Sequence, residues 1–352
     1  MIAKPLGNHP LYRLLGAVYW SVVRLRNLLY DLGIFSVISS PLPVISVGGI
    51  HAGGTGKTPL SGLIAEHFIK QGKAVALVSR GYRRISRGQL TVSPAQPAHW
   101  QEVGDEPALL RNRFPSLWLG IGADRSSSLG ALGGSLSHAQ SVALLDDGFQ
   151  HRRAGRRLDI LCLPPDPFAD YAIPAGTMRE PLSSCNRAAG LCLIGGESQI
   201  ELLQSSREKL RRRWPHKPLF ILIQSPGEWI HLQSGRRAQT LPGVQRAGLI
   251  CGIARPERFT TLVAQLGINP VAVMHFEDHH HYSAGEVESF GRREIDTILT
   301  TEKDAVKLKG LNLVNCPDIW YLTITLHIHG PCAEQARFSA FLQGLTKNKE
   351  GC

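Results

Sequence analysis

Residues His51 to Leu60 read "HAGGTGKTPL" and follow directly on the apolar run "PVISVGGI". Small residues, a lysine and a threonine at the end of a buried strand suit one ligand chemistry, a polyphosphate. Consecutive backbone N–H groups can turn inward as an anion nest, and a following helix adds the positive end of its dipole. The pattern matches the phosphate loop G-x-x-x-x-G-K-[ST] through Gly56, Lys57 and Thr58, with His51 in place of the first glycine. His51, Ala52, Gly53, Gly54, Thr55, Gly56, Lys57 and Thr58 are therefore expected to hold ATP. Lys57 would reach the β- and γ-phosphates, and Thr58 would bind Mg2+ through its hydroxyl.

Such a loop needs an acidic partner at the end of a neighbouring strand, and "SVALLDDGFQH" supplies Asp146 and Asp147. A carboxylate at a strand end is costly unless it faces a cation or hydrogen-bond donors. A solvent-exposed strand end explains one of the two more easily than both. Asp146 is expected to coordinate Mg2+ with Asp147 beside it. A guanine-nucleotide switch is disfavoured, because "DDGFQ" has the wrong spacing for D-x-x-G and "TTEKDAV" sets Lys303 directly against Asp304 in place of N-K-x-D.

Other segments carry chemistry less decisively. "VGDEPALL" places Asp105 and Glu106 ahead of a helix-like run, where a plain N-terminal cap with an acidic first turn explains both carboxylates. "GADRSSS" sets Asp124 and Arg125 just past a strand, suited equally to a phosphate contact or an ion pair. "PAGTMREP" offers Arg179 and Glu180 between prolines, and "FEDHHHYSAGE" offers His279, His280 and His281. Consecutive side chains on an extended segment alternate in direction, so the three histidines do not converge on one metal. One of them as a proton carrier fits better.

These residues need a frame to bring them together. Short apolar runs such as "PVISVG", "AVALVS", "VALLDD", "LDILCL", "LFILIQ" and "GLICGI" alternate with helix-period segments, the pattern of an α/β fold with a mostly parallel sheet flanked by helices. After the glycine loop, Leu60, Leu63, Ile64 and Phe68 fall at helical spacing, and Gly72 suits the C′ position. Pro and Gly thicken between Pro164 and Pro181, which reads as a functional loop near a domain junction.

The segment Leu11 to Phe35 is apolar and aromatic but interrupted by Arg13, Arg24, Arg26 and Asp31. Its longest uncharged run, Leu14 to Val23, is about half of the ~20 residues that span a bilayer. No small-residue cleavage site follows it, so a signal peptide is not indicated. Trp20, Tyr12, Tyr19 and Tyr30 beside arginines suit the interfacial plane of an anionic leaflet, and packing on the chain's own core is the alternative.

The 352 residues are enough for two domains or one large one, and 43% hydrophobic with 19% charged residues indicates a globular chain. A net charge of +11 points to an anionic partner. Nucleic acid is disfavoured, because no helix-turn-helix or aromatic readout element stands out. Seven cysteines without a C-x-x-C pair, several inside apolar runs, read as reduced core thiols rather than a zinc site.

In combination, "ISVGGIHAGGTGKTP", "SRGYRR", "VGDEP", "GADR", "LLDDGFQHRR", "PAGTMREPLSS", "FEDHHHYS" and "TTEKDAVKL" occur in the order of one family. The chain resembles, over nearly its whole length, the tetraacyldisaccharide 4′-kinases, the lipid A kinases of Gram-negative bacteria. The resemblance implies transfer of the γ-phosphate of ATP, with Mg2+, to the 4′-hydroxyl of a tetraacyl glucosamine disaccharide 1-phosphate. It implies Asp105 and His279 as the acid–base pair, with Glu106, Arg125, His151, Arg179 and Glu180 near the phosphates, metal or sugar.

The resemblance further implies a membrane-associated helix over 1–35, a phosphate-loop core over 36–185 and a smaller α/β domain over 186–352. It favours the interfacial reading of the N-terminal segment, the cytoplasmic face of the bacterial inner membrane with its anionic leaflet as location, and a monomer. A membrane-peripheral P-loop ATPase that moves or assembles a partner is the alternative. It would hydrolyse ATP without a lipid product.

Overall fold

A computed structural model describes residues 9–344. The first stretch of chain runs through α1 (Pro10–Asp31), β1 (Val44–Gly49), α2 (Lys57–Lys70), β2 (Ala74–Ser79), β3 (Leu90–Val92), α3 (Trp100–Val103), α4 (Asp105–Arg113), β4 (Trp118–Ile121), α5 (Arg125–Gly133), β5 (Ser141–Asp146) and β6 (Leu158–Leu163). It continues through β7 (Gly190–Gly196), α6 (Ile200–Arg213), β8 (Leu219–His231), β9 (Arg237–Ala238), β10 (Ala247–Cys251), α7 (Pro256–Gln265), β11 (Ala272–His275), α8 (Ala284–Gly291), β12 (Thr297–Thr301), α9 (Glu302–Leu308), β13 (Asp318–Ile328) and α10 (Cys332–Gln343).

The strands form one sheet in the order β11-β10-β12-β13-β8-β7-β6-β1-β5-β2-β4-β3, with β9 paired to β8. Pairing is parallel except for β3 with β4, β8 with β9, and the long β8–β13 pair. That pair joins a larger parallel half, built around β1, to a smaller one, β11-β10-β12 with β13. Residue 185, at the expected end of the nucleotide-binding core, falls between β6 and β7, which are hydrogen-bonded neighbours. The change of strand direction comes later, at β8–β13.

Helices cover both faces because residues along each strand alternate. Ile45 and Val47 of β1 and Val142 and Leu144 of β5 pack with Leu60, Ile64 and Phe68 of α2. Ala143 and Leu145 turn to the opposite face, with Leu129 and Leu132 of α5. Strands buried on both faces read as continuous apolar runs, which is how the sequence shows them. Helix α2 stops as expected, with Gly72 at φ +74° just past its cap residue Gln71. In the smaller half, Phe290 of α8 and Ala305 and Leu308 of α9 cover one face and Phe259 and Val263 of α7 the other.

Helix α1 lies against the larger half by one edge only. Gly16 and Val23 are buried, and a Cβ on Gly16 would sit 3.0 Å from that of Ala172, so glycine permits the close approach. Trp20 packs on the core cluster that holds Leu203 and Leu210 of α6. Asn27 Nδ2 donates to Glu180 at 2.9 Å, Arg26 donates to the carbonyl of Gln150, and Arg152 donates to Asp31 at 2.7 Å. The other side carries an apolar stripe left in solvent: Leu14 is 63% exposed, Val18 56%, Val22 62% and Leu25 57%. Among the described residues no helix is long and apolar enough to cross a membrane.

Cys162, Cys185, Cys192 and Cys251 are buried free thiols, and burial pushes Cys185 and Cys251 up to about 12. Cys316 is half-buried and Cys332 exposed, unlike the core position expected of them, and Cys352 lies outside the described residues.

Candidate active site

The glycine loop leaves β1 at Gly49 and enters α2 at Lys57. Two of its amides are used internally, Ala52 donating to Thr177 at 2.7 Å and Thr55 to Gly53 at 2.8 Å. Those of Lys57 and Thr58 open α2, where backbone N–H groups lack intrahelical partners. Gly56 caps the helix at φ +80°, and a Cβ there would come within 2.8 Å of Ile194 Cγ2. Only glycine fits both the left-handed backbone and the space. His51, in place of the usual glycine, turns inward: it is buried, and its Nε2 lies 4.0 Å from Asp170. Burial lowers its pKa, so the loop gains no cation from it.

Strand β5 lies beside β1 with Val47 opposite Asp146, and this register brings both aspartates to the loop. Asp147 stands at φ +46°, just past the strand, and accepts a bidentate pair from Arg179 at 2.9 and 2.8 Å. Lys57 Nζ is 3.5 Å from its Oδ1. Burial opposes ionisation of Asp147, but the Arg179 hydrogen bonds and the Lys57 charge outweigh it and hold the carboxyl far below the usual range.

Asp146 is the opposite case. It is buried, accepts from Ser61 Oγ at 2.8 Å, and is pushed up to about 7 by burial and by the charge of Glu106. Burial and the neighbouring Asp105 likewise raise Glu106. Buried carboxyls are thus gathered beside an anion-binding loop and its lysine. This donor set fits Mg2+, which is commonly held by one or two carboxylates and the substrate's phosphates. Thr58, at the start of α2, and Asp146 are the residues that would hold it, with Asp147 alongside.

A second cluster forms at the head of α4. Asp105 is its first helical residue, after the N-cap Gly104, and one oxygen accepts from the adjacent Glu106 amide at 3.0 Å, which is not the N2 or N3 amide a capping side chain takes, so the plain cap suggested by the sequence is not formed. The other oxygen lies 2.7 Å from His279 Nδ1, and this partner accounts for the carboxylate. Lys303 Nζ completes the group, 3.7 Å from Asp105, 3.0 Å from Asp278 and 3.2 Å from His279 Nε2. Burial opposes the Asp105 charge, but the His279 hydrogen bond and Lys303 overcome it and lower its pKa. Glu106 links the clusters, because its carboxyl feels Lys303, Asp105 and His279 on one side and Lys57 on the other.

The three histidines diverge. His280 stacks on Phe276, with centroids 4.3 Å apart, and its Nε2 lies 3.3 Å from Glu286. His281 meets Trp100 edge-on at 4.8 Å. His279 alone of the three meets Asp105, from a loop position with φ +64°.

The remaining expected residues stand nearby in different states. Arg125 opens α5 nearly buried, donates to the Ala123 carbonyl at 3.1 Å and lies within reach of the charges of Asp146 and Asp147. His151 Nε2 is 3.7 Å from Asp124, and burial with Arg125 pushes its pKa down to about 4. Glu180 is fully buried and its oxygens accept from Arg187 at 2.7 and 2.8 Å, Asn27 at 2.9 Å and Gln150 at 3.0 Å. Its carboxylate ties α1 to the core rather than facing the loop. Sequence reasoning overlooks Lys303, Asp278 and Ser61 as neighbours of the site. "TTEKDAVKL" holds the one clue, a lysine at the start of a helix that follows a strand.

The strand–loop–helix with its lysine, and the carboxylates at the end of the adjacent parallel strand, define a P-loop protein of the kinase class. Residues 9–345 match the family model LpxK, tetraacyldisaccharide-1-P 4'-kinase, and the chain belongs to this family, whose members are phosphotransferases. Tetraacyldisaccharide 4'-kinase of Bdellovibrio bacteriovorus is 32% identical over 313 residues, 85% of this chain and 89% of that protein. The enzyme of the same name from Chlorobaculum tepidum is 35% identical over 335 residues, 90% and 92% respectively. The crystal structure of LpxK from Aquifex aeolicus in complex with ATP superposes with a TM-score of 0.75 at 28% identity, covering 95% of this chain and 98% of that one.

Proposed function

We propose that the chain transfers the γ-phosphate of ATP to the 4′-hydroxyl of a tetraacyl glucosamine disaccharide 1-phosphate, yielding ADP and a bis-phosphorylated lipid. Family membership supports the reaction, and one observation carries the assignment of the site. The Asp105–His279 pair lies close enough to the phosphate loop for Glu106 to feel both it and Lys57. A proton acceptor thus stands next to the place where phosphate is held.

In this reading the sugar oxygen bonds to the γ-phosphorus as the bridging β,γ P–O bond breaks, and the hydroxyl proton passes to Asp105. The depressed pKa of Asp105 is compatible with that role, because phosphoryl transfer is loose and asks little of the base early. His279 orients the carboxylate. Lys57 neutralises charge on the transferred group, and Arg125 adds a second cation from α5. Arg179 holds Asp147 in place, and His151 lines the same side as Arg125. Bound through Thr58, Asp146 and Asp147, Mg2+ would neutralise charge on the β- and γ-phosphates. His51 to Thr58 wrap the phosphates, and Glu180 ties α1 to the core, with Gln150 bridging it to the Gly49 carbonyl at the loop's start.

The exposed stripe of α1, flanked by Arg13 and Arg24, supports an interfacial helix on the anionic cytoplasmic leaflet of the inner membrane, reached by a monomer. A division at residues 35 and 185 then gives a membrane helix, a nucleotide core and a second α/β domain that supplies His279. Incubation of the purified protein with ATP, Mg2+ and the tetraacyl disaccharide 1-phosphate in detergent tests the proposal. It expects a bis-phosphorylated lipid in amounts equal to the ADP formed. ATP hydrolysis without lipid product would overturn it in favour of an ATPase.

A further inference from the structure

Lys303 sits in the first turn of α9, where the positive end of the helix dipole disfavours a cation. Three carboxylates offset that position. Burial works against the Lys303 charge, but Asp105, Glu106 and Asp278 outweigh it and raise its pKa. The ammonium is therefore a fixed charge, and it faces His279 Nε2 at 3.2 Å.

An ammonium has donors and no acceptor, so the ring nitrogen facing it presents a lone pair. The ring proton then stands on Nδ1, 2.7 Å from Asp105 Oδ2. The tautomer of a histidine is set by the partner of its other nitrogen. Asp278 Oδ2 is 3.6 Å from the same Nε2, farther than Lys303, and Asp278 Oδ1 already accepts from the lysine at 3.0 Å. The ring is held besides by Tyr82, edge-on at 5.1 Å, and by the left-handed backbone of His279.

We propose that Lys303 is a positioning residue of this site: its ammonium fixes His279 as the Nδ1-protonated tautomer and directs that proton at Asp105. With Nε2 engaged by Lys303 and Nδ1 carrying hydrogen, the imidazole has no free lone pair. The carboxylate of Asp105 is left as the acceptor of the sugar proton. The consequence for catalysis rests on the kinase reading, whereas the tautomer does not.

The charged groups around the pair are Lys303 and Lys307 from α9, Glu106 from α4 and Asp278 from the histidine loop, with Arg83 donating to the Asp278 carbonyl at 2.6 Å. Replacing Lys303 by Met removes the nearest cation and leaves the carboxylates, so the Asp105–His279 pair takes up a proton at higher pH. The acid limb of the kcat profile then moves upward.

Long-range 1H–15N spectra of the full-length protein, with His279 assigned from the His279→Gln variant, read the tautomer directly. The wild type is expected to show the Nδ1–H pattern near pH 7.5, and Lys303→Met the imidazolium or Nε2–H pattern. In the lipid kinase assay Lys303→Met should lose roughly 10²-fold or more in kcat, with KM for ATP within about threefold, and Lys303→Arg should recover part of it.

An Nε2–H pattern in the wild type would overturn the proposal. So would a Lys303→Met protein that keeps the wild-type tautomer and acid limb. Should Lys303→Met fail to fold, the wild-type and Lys303→Arg spectra decide alone. Absence of any lipid product in the wild type would refute the kinase reading and leave the spectra standing.

Discussion

His279 Nδ1 lies 2.7 Å from Asp105 Oδ2, though 174 positions of sequence separate the two residues. Asp105 heads α4 in the larger parallel half of the sheet, and His279 stands in the loop between β11 and α8 of the smaller half. The contact joins the halves beside the phosphate loop, where the proposed transfer calls for a proton acceptor. Asp105→Asn and His279→Ala are expected to lower kcat by about 10²-fold or more each, with little change in KM for ATP. The double variant should be little worse than the poorer single, because groups that act as a unit lose their effect together. Steady-state kinetics on the three variants and His280→Ala check this. Multiplicative losses, or a larger kcat loss at His280, would refute the pairing.

Lys57 Nζ is 3.5 Å from Asp147, which Arg179 also holds. Lys57→Ala leaves that carboxylate with its bidentate partner, so the fold should survive with its thermal midpoint nearly unchanged. Turnover should fall by about two to three orders of magnitude, as when one group that stabilises transition-state charge is removed. Near-normal turnover would sink the phosphate-loop assignment.

Asp146 predicts a pH effect of definite sign. Its folded pKa, about 7, lies above the ordinary carboxyl value, so the native state binds the proton more tightly than the unfolded chain. The stability this contributes is fully present below the unfolded pKa and is lost as pH rises through about 7. Without nucleotide, Asp146→Asn should match the wild type near pH 4 and be more stable above pH 7, by on the order of a few kcal/mol. Saturating Mg2+ and ATP should reverse that order, because they stabilise only the protein that keeps the ligand. Thermal midpoints across pH with and without Mg-ATP measure both; an unchanged order would show that Asp146 binds no cation.

The stripe of α1 can be tested without disturbing the core. Leu14, Val18 and Val22 are exposed, so their replacement by Ser should change stability by less than about 0.5 kcal/mol each. Binding to vesicles of phosphatidylglycerol and phosphatidylethanolamine should nevertheless drop, with ATP binding retained. Equal vesicle binding by the triple variant would count against an interfacial helix. Removing the whole segment is the poorer experiment. It strips Asn27 from the buried Glu180 and uncovers the core beneath Trp20.

Local chemistry was legible in the residues alone. The run "PVISVGGIHAGGTGKTP" predicts its own strand, turn and helix, because backbone preference, glycine and helical spacing act over a few residues. Asp146 at a strand end and Gly72 at a helix end follow from the same short-range rules, and the structure puts them where those rules require. The identity of the family was legible as well, since the motifs keep their order along the chain.

The tertiary structure decided what depends on distance through space. Residue type and spacing leave the three adjacent histidines equivalent, with only the resemblance favouring His279, and it is the left-handed turn there that sends this one to Asp105 while Phe276 and Trp100 take the others. Glu180 reads as a site residue, yet four donors from α1, the Gln150 loop and Arg187 surround it once α1 is docked. In the sequence Lys303 serves only to exclude N-K-x-D, and its role emerges once α4 and the histidine loop bring carboxylates to it. Each of these roles is an electrostatic or packing relation between segments far apart in the chain. Such a relation has no energy until the sheet, through the antiparallel β8–β13 pair, fixes the two halves side by side.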